Sequence, residues 1–158
     1  MQPYQTIILA VDLTEESNLI AERVRALIGS NPTDLHIVHV IEPLSFAYGG
    51  DVPMDLSSVQ EQIQDQAKAH LNEFSRQLAV DASHQHLIFG RPENEIHRLA
   101  EEHDADLIIV GSHGRHGLAL LLGSTANGVL RGAPCDVLAV RLVWREIKAS
   151  GSRPHSLP

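Results

Sequence analysis

The chain has 158 residues, 43% hydrophobic and 4% aromatic, so one domain with a core of Val, Ile, Leu and Ala is expected and a second is excluded. The formal net charge of −8, with no basic run to counter it, excludes general binding to nucleic acid or anionic membranes. A single cysteine, Cys135, excludes an internal disulfide, which suits a reducing compartment.

Thr6-Ile-Ile-Leu-Ala-Val11 reads as a strand apolar on both faces, and it stops at Asp12-Leu-Thr-Glu-Glu-Ser. Asp12 or Thr14 can cap the helix that follows, and Glu15 and Glu16 suit its first turn. Asp12 is equally a carboxylate at the carboxyl end of a strand, where open α/β sheets take ligands; the two roles are compatible. The helix carries Leu19, Ile20, Val24, Leu27 and Ile28 at helical spacing and ends at Gly29-Ser-Asn-Pro32.

Leu35-His-Ile-Val-His-Val-Ile41 is the second strand, closed by Glu42-Pro43. Leu44 to Pro53 is a long loop holding Tyr48, glycines and prolines, read as a flap near the ligand site or as disorder. Ser57 to Leu78 is a polar helix with Val59, Ile63, Ala67, Leu71, Phe74 and Leu78 in one stripe. His84-Gln-His-Leu-Ile-Phe89 is the third strand; Gly90-Arg-Pro turns into a helix with Ile96, Leu99 and Ala100 apolar, ending near Glu102.

Leu107-Ile-Ile-Val is a buried strand that breaks at Gly111-Ser112-His113-Gly114, where glycine permits a sharp turn. Gly123-Ser124-Thr125 then opens a helix through Arg131 that stops at Gly132-Ala-Pro134, and Asp136 to Val143 is the last strand. Unpaired amides at a helix start, beside glycines, make an anion site, and phosphate is the expected anion. Glycines more often serve only a tight turn; two glycine clusters carrying hydroxyls around one short segment favour the anion. Residues 147–158 form an expected disordered tail to a domain over 1–146.

Strands alternating with helices imply a parallel sheet with helices on both faces. Ligands in such sheets sit where the strand order reverses. With the first and fourth strands as neighbours, Asp12 and the Gly111 loop face one crevice.

Other constellations carry less. His84 and His86 share one strand face at two-residue spacing, but no Cys, Asp or Glu lies near them in sequence, so no metal site is expected. His36 and His39 fall on opposite strand faces, and His39 reads as a core or crevice residue. Cys135 has no base partner in sequence and reads as a structural thiol. Ser112 and His113 are adjacent, which is not nucleophile–base geometry, and no Lys follows the glycines as a P-loop demands. No leader precedes Tyr4 and no apolar run spans a bilayer, so a cytoplasmic protein without membrane insertion is expected.

Taken together these residues resemble the universal stress protein A family, from Tyr4 to about Val143. The matching segments are Ile8-Leu-Ala-Val-Asp12 with Ser17, Ile37-Val-His-Val-Ile41, Gly90-Arg-Pro, Asp106-Leu-Ile-Ile-Val-Gly-Ser-His-Gly114, Gly123-Ser124 and Ala133-Pro-Cys-Asp-Val-Leu-Ala-Val140. The resemblance implies an open, Rossmann-like, five-stranded parallel sheet in the order 3-2-1-4-5. It also implies a homodimer paired through the last strand. The family's ATP-binding branch has a glycine motif that Gly111, Gly114, Gly123 and Ser124 match, with one residue fewer between Gly114 and Gly123. By resemblance, ribose and phosphates meet Asp12, Gly111, Gly114, Gly123, Ser124 and Thr125, and adenine lies against Ala10, Val11 and Val40, with Val110 lining the site. ATP with Mg or Mn is the implied cofactor.

Three functional readings follow. They are an ATP-binding regulator of the stress response, a slow ATP hydrolase, and a dimeric scaffold without nucleotide. Hydrolysis needs a positioned water and charge stabilisation at the transition state. No residue in the sequence is assigned the first task, so binding ranks above catalysis and no catalytic residue is named.

Overall fold

The structure, a computed structural model, describes residues 3–13, 17–44, 57–113 and 124–142, without the side chains of Ser112, His113 and Leu142. The loop at 45–56, the glycine loop at 114–123 with Gly114 and Gly123, and the expected tail lie outside the described residues.

The elements in chain order are β1 (Thr6–Ala10), α1 (Ser17–Ile28), β2 (Asp34–Ile41) and α2 (Ser57–Gln77). A 3-10 turn (Ala82–His84) leads into β3 (Gln85–Phe89), followed by α3 (Pro92–Glu102), β4 (Leu107–His113), α4 (Ser124–Leu130) and β5 (Asp136–Leu142). The five strands form one sheet in the order β3-β2-β1-β4-β5. Every neighbouring pair is parallel. This is the expected order, with β1 at the centre.

The alternation of side chains along β1 divides the core into two layers. Ile7, Leu9 and Val11 pack with Ile20, Val24, Leu71 and Phe74, so α1 and α2 cover one face. Ile8 packs with Val38, Ile96, Leu99, Ile108 and Val129, so α3 and α4 cover the other. Ile8 and Ile108 are in register and fully buried, and burying such a side chain contributes about 1.5–3 kcal/mol. That is why these strands lack polar residues between Ile7 and Leu9 and between Leu107 and Val110.

Short-range chemistry sets the ends. Gly29 ends α1 at φ +58°, its amide bonded to the Arg25 carbonyl at 2.9 Å, the left-handed residue that commonly terminates a helix. Gly128 lets α4 approach α3: a Cβ there would lie 3.0 Å from Glu93 Cβ. The carboxylate of Asp106 accepts the amides of Gln5 at 2.8 Å and Thr6 at 3.0 Å, tying the start of β1 to the residue ahead of β4.

Two expectations are revised. The backbone of β4 does not turn at Gly111 but stays extended through His113, because β5 runs alongside and pairs Gly111 with Val140, Ser112 with Arg141 and His113 with Leu142. His84 is not a strand residue. It closes the 3-10 turn, and β3 begins one residue later.

Candidate functional site

β2 and β4 lie on opposite sides of β1, so the chain's connections leave in opposite directions at the carboxyl ends of β1 and β4. A crevice opens there, as the topology requires. It encloses about 240 Å³, far more than a lone ion needs. Its walls come chiefly from strand ends and helix starts. Ala10 ends β1 and Val11 directly follows it, Val40 lies near the end of β2, Val110 and Gly111 lie in β4, and Ser124 and Thr125 begin α4.

Eight of the residues singled out from sequence therefore meet in one place: Ala10, Val11, Asp12, Val40, Val110, Gly111, Ser124 and Thr125. Gly114 and Gly123 lie outside the described residues. Ile20, Val38, Pro92, Ile96 and Ala126 also line the crevice and were not singled out as site residues. Val38 follows from parallel register, since it pairs with Ala10. Pro92 and Ile96 follow from α3, whose Pro92 stands in its first turn on the side of the sheet that holds Val40. The Gly90-Arg-Pro turn was the available signal for that helix start.

The crevice has two chemical characters. Ala10, Val11, Val38, Val40, Val110 and Ile96 give an apolar slot of aliphatic side chains. Asp12, Ser124 and Thr125 supply a carboxylate and two hydroxyls at its lining. Asp12 is exposed, so its carboxylate is solvated rather than buried.

His39 also lines the crevice, in keeping with its reading as a crevice residue. Its Nδ1–H donates to the Val11 carbonyl at 2.7 Å, since a carbonyl only accepts. In the neutral ring this fixes the tautomer and leaves Nε2 as an acceptor. The amide of Val11 in turn donates to the Val38 carbonyl at 2.9 Å, so the backbone leaving β1 is held from both directions. Contacts with β2 thus hold this part of the crevice wall in place.

Cys135 lies away from this site, half-buried beside Asp106 and Asp136. Burial, and then the two carboxylates, push its thiol above the usual range, which disfavours the thiolate. No helix among the described residues is long and apolar enough to cross a membrane.

Comparison with known proteins agrees with this architecture. A model of the universal stress protein family matches residues 3–141. Universal stress protein A homolog 2 of Coxiella burnetii is 40% identical over 146 residues, covering 90% of this chain and 98% of the relative. Among solved structures, a universal stress protein in complex with cAMP superposes with a TM-score of 0.63 at 23% identity, covering 90% of this chain and 100% of that one. Universal stress protein UspA from Lactobacillus plantarum superposes with a TM-score of 0.67 at 21% identity, covering 89% and 100%.

Proposed function

The chain belongs to the universal stress protein family, and from that premise we propose that it binds an adenine nucleotide, ATP with Mg or Mn, in the crevice between β1 and β4. The observation that carries this reading is the convergence of an aliphatic slot and a polar rim at the point where strand order reverses. A flat base suits walls made of Ala10, Val11, Val40 and Val110. Gly111, with no side chain, and the hydroxyls of Ser124 and Thr125 suit ribose and phosphate, and Asp12 suits the divalent ion that accompanies a triphosphate. The residues present fit the group. The related protein solved with cAMP supports a nucleotide as the ligand class.

In this role the nucleotide is a signal rather than a substrate. Binding shifts conformation, dimer contacts or partner choice in the stress response, in the cytoplasm. The role also includes a two-fold homodimer paired through β5. That strand is at the sheet edge, and a bare edge recruits other chains. Antiparallel pairing with its own copy closes the edge with one patch on each subunit. Within that strand Val140 is 8% exposed and belongs to its own chain's core, whereas Leu138 is 40% exposed and free to contribute.

The test is nucleotide analysis of protein purified under native conditions and then heat-denatured. Release of ATP in near-stoichiometric amount from the wild type, and its loss from Gly111→Val, is the expected result. Absence of nucleotide, together with no thermal shift at millimolar ATP, favours the nucleotide-free scaffold instead.

A further inference from the structure

The amino-terminal end of the sheet, opposite the crevice, holds a second group of residues with its own chemistry. His36 lies in β2 in register with Ile8, and His86 lies in β3 in register with Val38, so both side chains project on the sheet face that α3 covers. His103 is the residue that caps the carboxyl end of α3, its amide bonded to the Leu99 carbonyl at 3.1 Å. Three elements thereby bring three imidazoles together. The ring centroids of His36 and His103 are 4.1 Å apart, those of His36 and His86 5.2 Å, and those of His86 and His103 5.5 Å. One nitrogen from each ring lies within 4.8 Å of the others.

We propose that His36, His86 and His103 form a binding site for a divalent transition ion, Zn²⁺ in the first instance, with a fourth position open to water.

The orientation of His36 is the strongest support. Its Nε2 lies 3.2 Å from Asp34 Oδ2 and its Nδ1 lies 3.0 Å from His86 Nε2. A carboxylate only accepts, so Nε2 of His36 carries the proton and its Nδ1 is an acceptor, which in the metal-free protein takes the proton of His86 Nε2 and would be turned to an ion once His86 gives that proton up. This is the arrangement by which a carboxylate orients a metal-bound histidine and raises its basicity. Asp34 is itself held by His84, whose Nε2 lies 2.8 Å from Oδ1. The His36–His86 nitrogen separation is close to the distance between two donors on a tetrahedral zinc ion, about 3.3 Å at the usual Zn–N length.

The negative end of the α3 dipole lies beside His103 and favours a cation there. An all-imidazole donor set selects zinc and its transition-metal neighbours over Mg²⁺ or Ca²⁺, which require oxygen ligands. The alternative is a metal-free stack of neutral rings. The sequence did not reveal the group because its members come from three separate elements.

The test uses the full chain, stripped with chelator and dialysed against Zn²⁺ without nucleotide, with bound metal counted by elemental analysis. One zinc per chain is expected. His86→Gln and His103→Gln should each weaken binding by at least tenfold, on the scale seen for metal-site substitutions, while circular dichroism shows an unchanged fold. His70→Gln, at an exposed position on α2, should bind as the wild type does. His36 is 3% exposed, so its replacement risks the fold and the test does not depend on it. Failure to retain zinc, or zinc binding that survives both the His86 and His103 substitutions, overturns the proposal. Neither outcome depends on ATP binding at the opposite end of the sheet.

Discussion

At the carboxyl ends of β1 and β4 the crevice is built from small aliphatic side chains and backbone, whereas at the amino ends of β2 and β3 imidazole rings and a carboxylate crowd together. Both regions rest on the same apolar floor, since Ile8 touches the layer beneath the crevice and pairs in register with His36. The crevice follows from topology: any chain with this strand order opens one there. The histidine group follows from individual side chains, and another sequence with the same fold need not have it. The first region is therefore read from the pattern of elements and the second only from the folded structure.

The largest expected effect breaks the floor that both regions share. Ile108→Ala removes fully buried volume from the centre of the sheet and should cost about 2–5 kcal/mol, seen as a lower denaturation midpoint with an unchanged slope. A loss below 1 kcal/mol would show that the two layers are less tightly packed than the structure indicates.

Next comes a substitution aimed at one region alone. Gly111→Val places a branched side chain on the crevice lining and should weaken ATP by roughly a hundredfold, about 3 kcal/mol, with zinc binding unchanged. Equal ATP affinity in the variant would remove Gly111 from the phosphate path.

The histidine region should dominate the pH dependence of stability in metal-free protein. The folded His86 is lowered from 6.5 to about 4, so between those values the unfolded chain binds more protons. Stability is then fully present above about pH 6.5 and is lost as pH falls toward 4. Burial acting alone would raise Asp34, but its hydrogen bond and ion pairs with His36 and His84 hold it below its usual value, which extends the loss to lower pH. The His86 contribution is at most about 3 kcal/mol and smaller after solvent screening. Denaturation midpoints at a series of pH values check this, and His86→Gln should flatten the slope in that window.

Smaller effects lie outside both regions. Leu138→Glu should shift sedimentation at micromolar concentration from dimer toward monomer without lowering Tm of the subunit fold. A wild type that sediments as a monomer would remove the β5 dimer. Arg98→Ala breaks exposed pairs with Glu95 and Glu102, each at 2.9 Å, and should cost less than about 1 kcal/mol by denaturant titration.

Most of the fold was legible because β1 and β4 contain uninterrupted apolar runs, the helices carry apolar stripes and Gly29 stops α1. Thr6 to Ala10, Asp34 to Ile41 and Gln85 to Phe89 differ from the sequence reading by one residue at an end. The crevice-lining residues Asp12, Gly111 and Ser124 were legible because Asp12 lies just past a strand, Gly111 interrupts an apolar run and Ser124 follows a glycine at the start of a helix. Three things were not. The extension of β4 through His113 depends on its pairing with β5, a contact that glycine's local freedom cannot report. Ile20 and Ile96 line the crevice from helices whose faces only packing decides. Asp34, His36 and His103 meet His84 and His86 across gaps of tens of residues, so no spacing in the sequence announces them.

The central claim is the nucleotide in the crevice, and calorimetric titration of the full chain with ATP and Mg²⁺ tests it most directly. The account predicts saturable heat with one site per subunit, abolished or strongly weakened in Gly111→Val and retained in His86→Gln. No heat at millimolar ATP, or equal heat from the Gly111→Val chain, would contradict it.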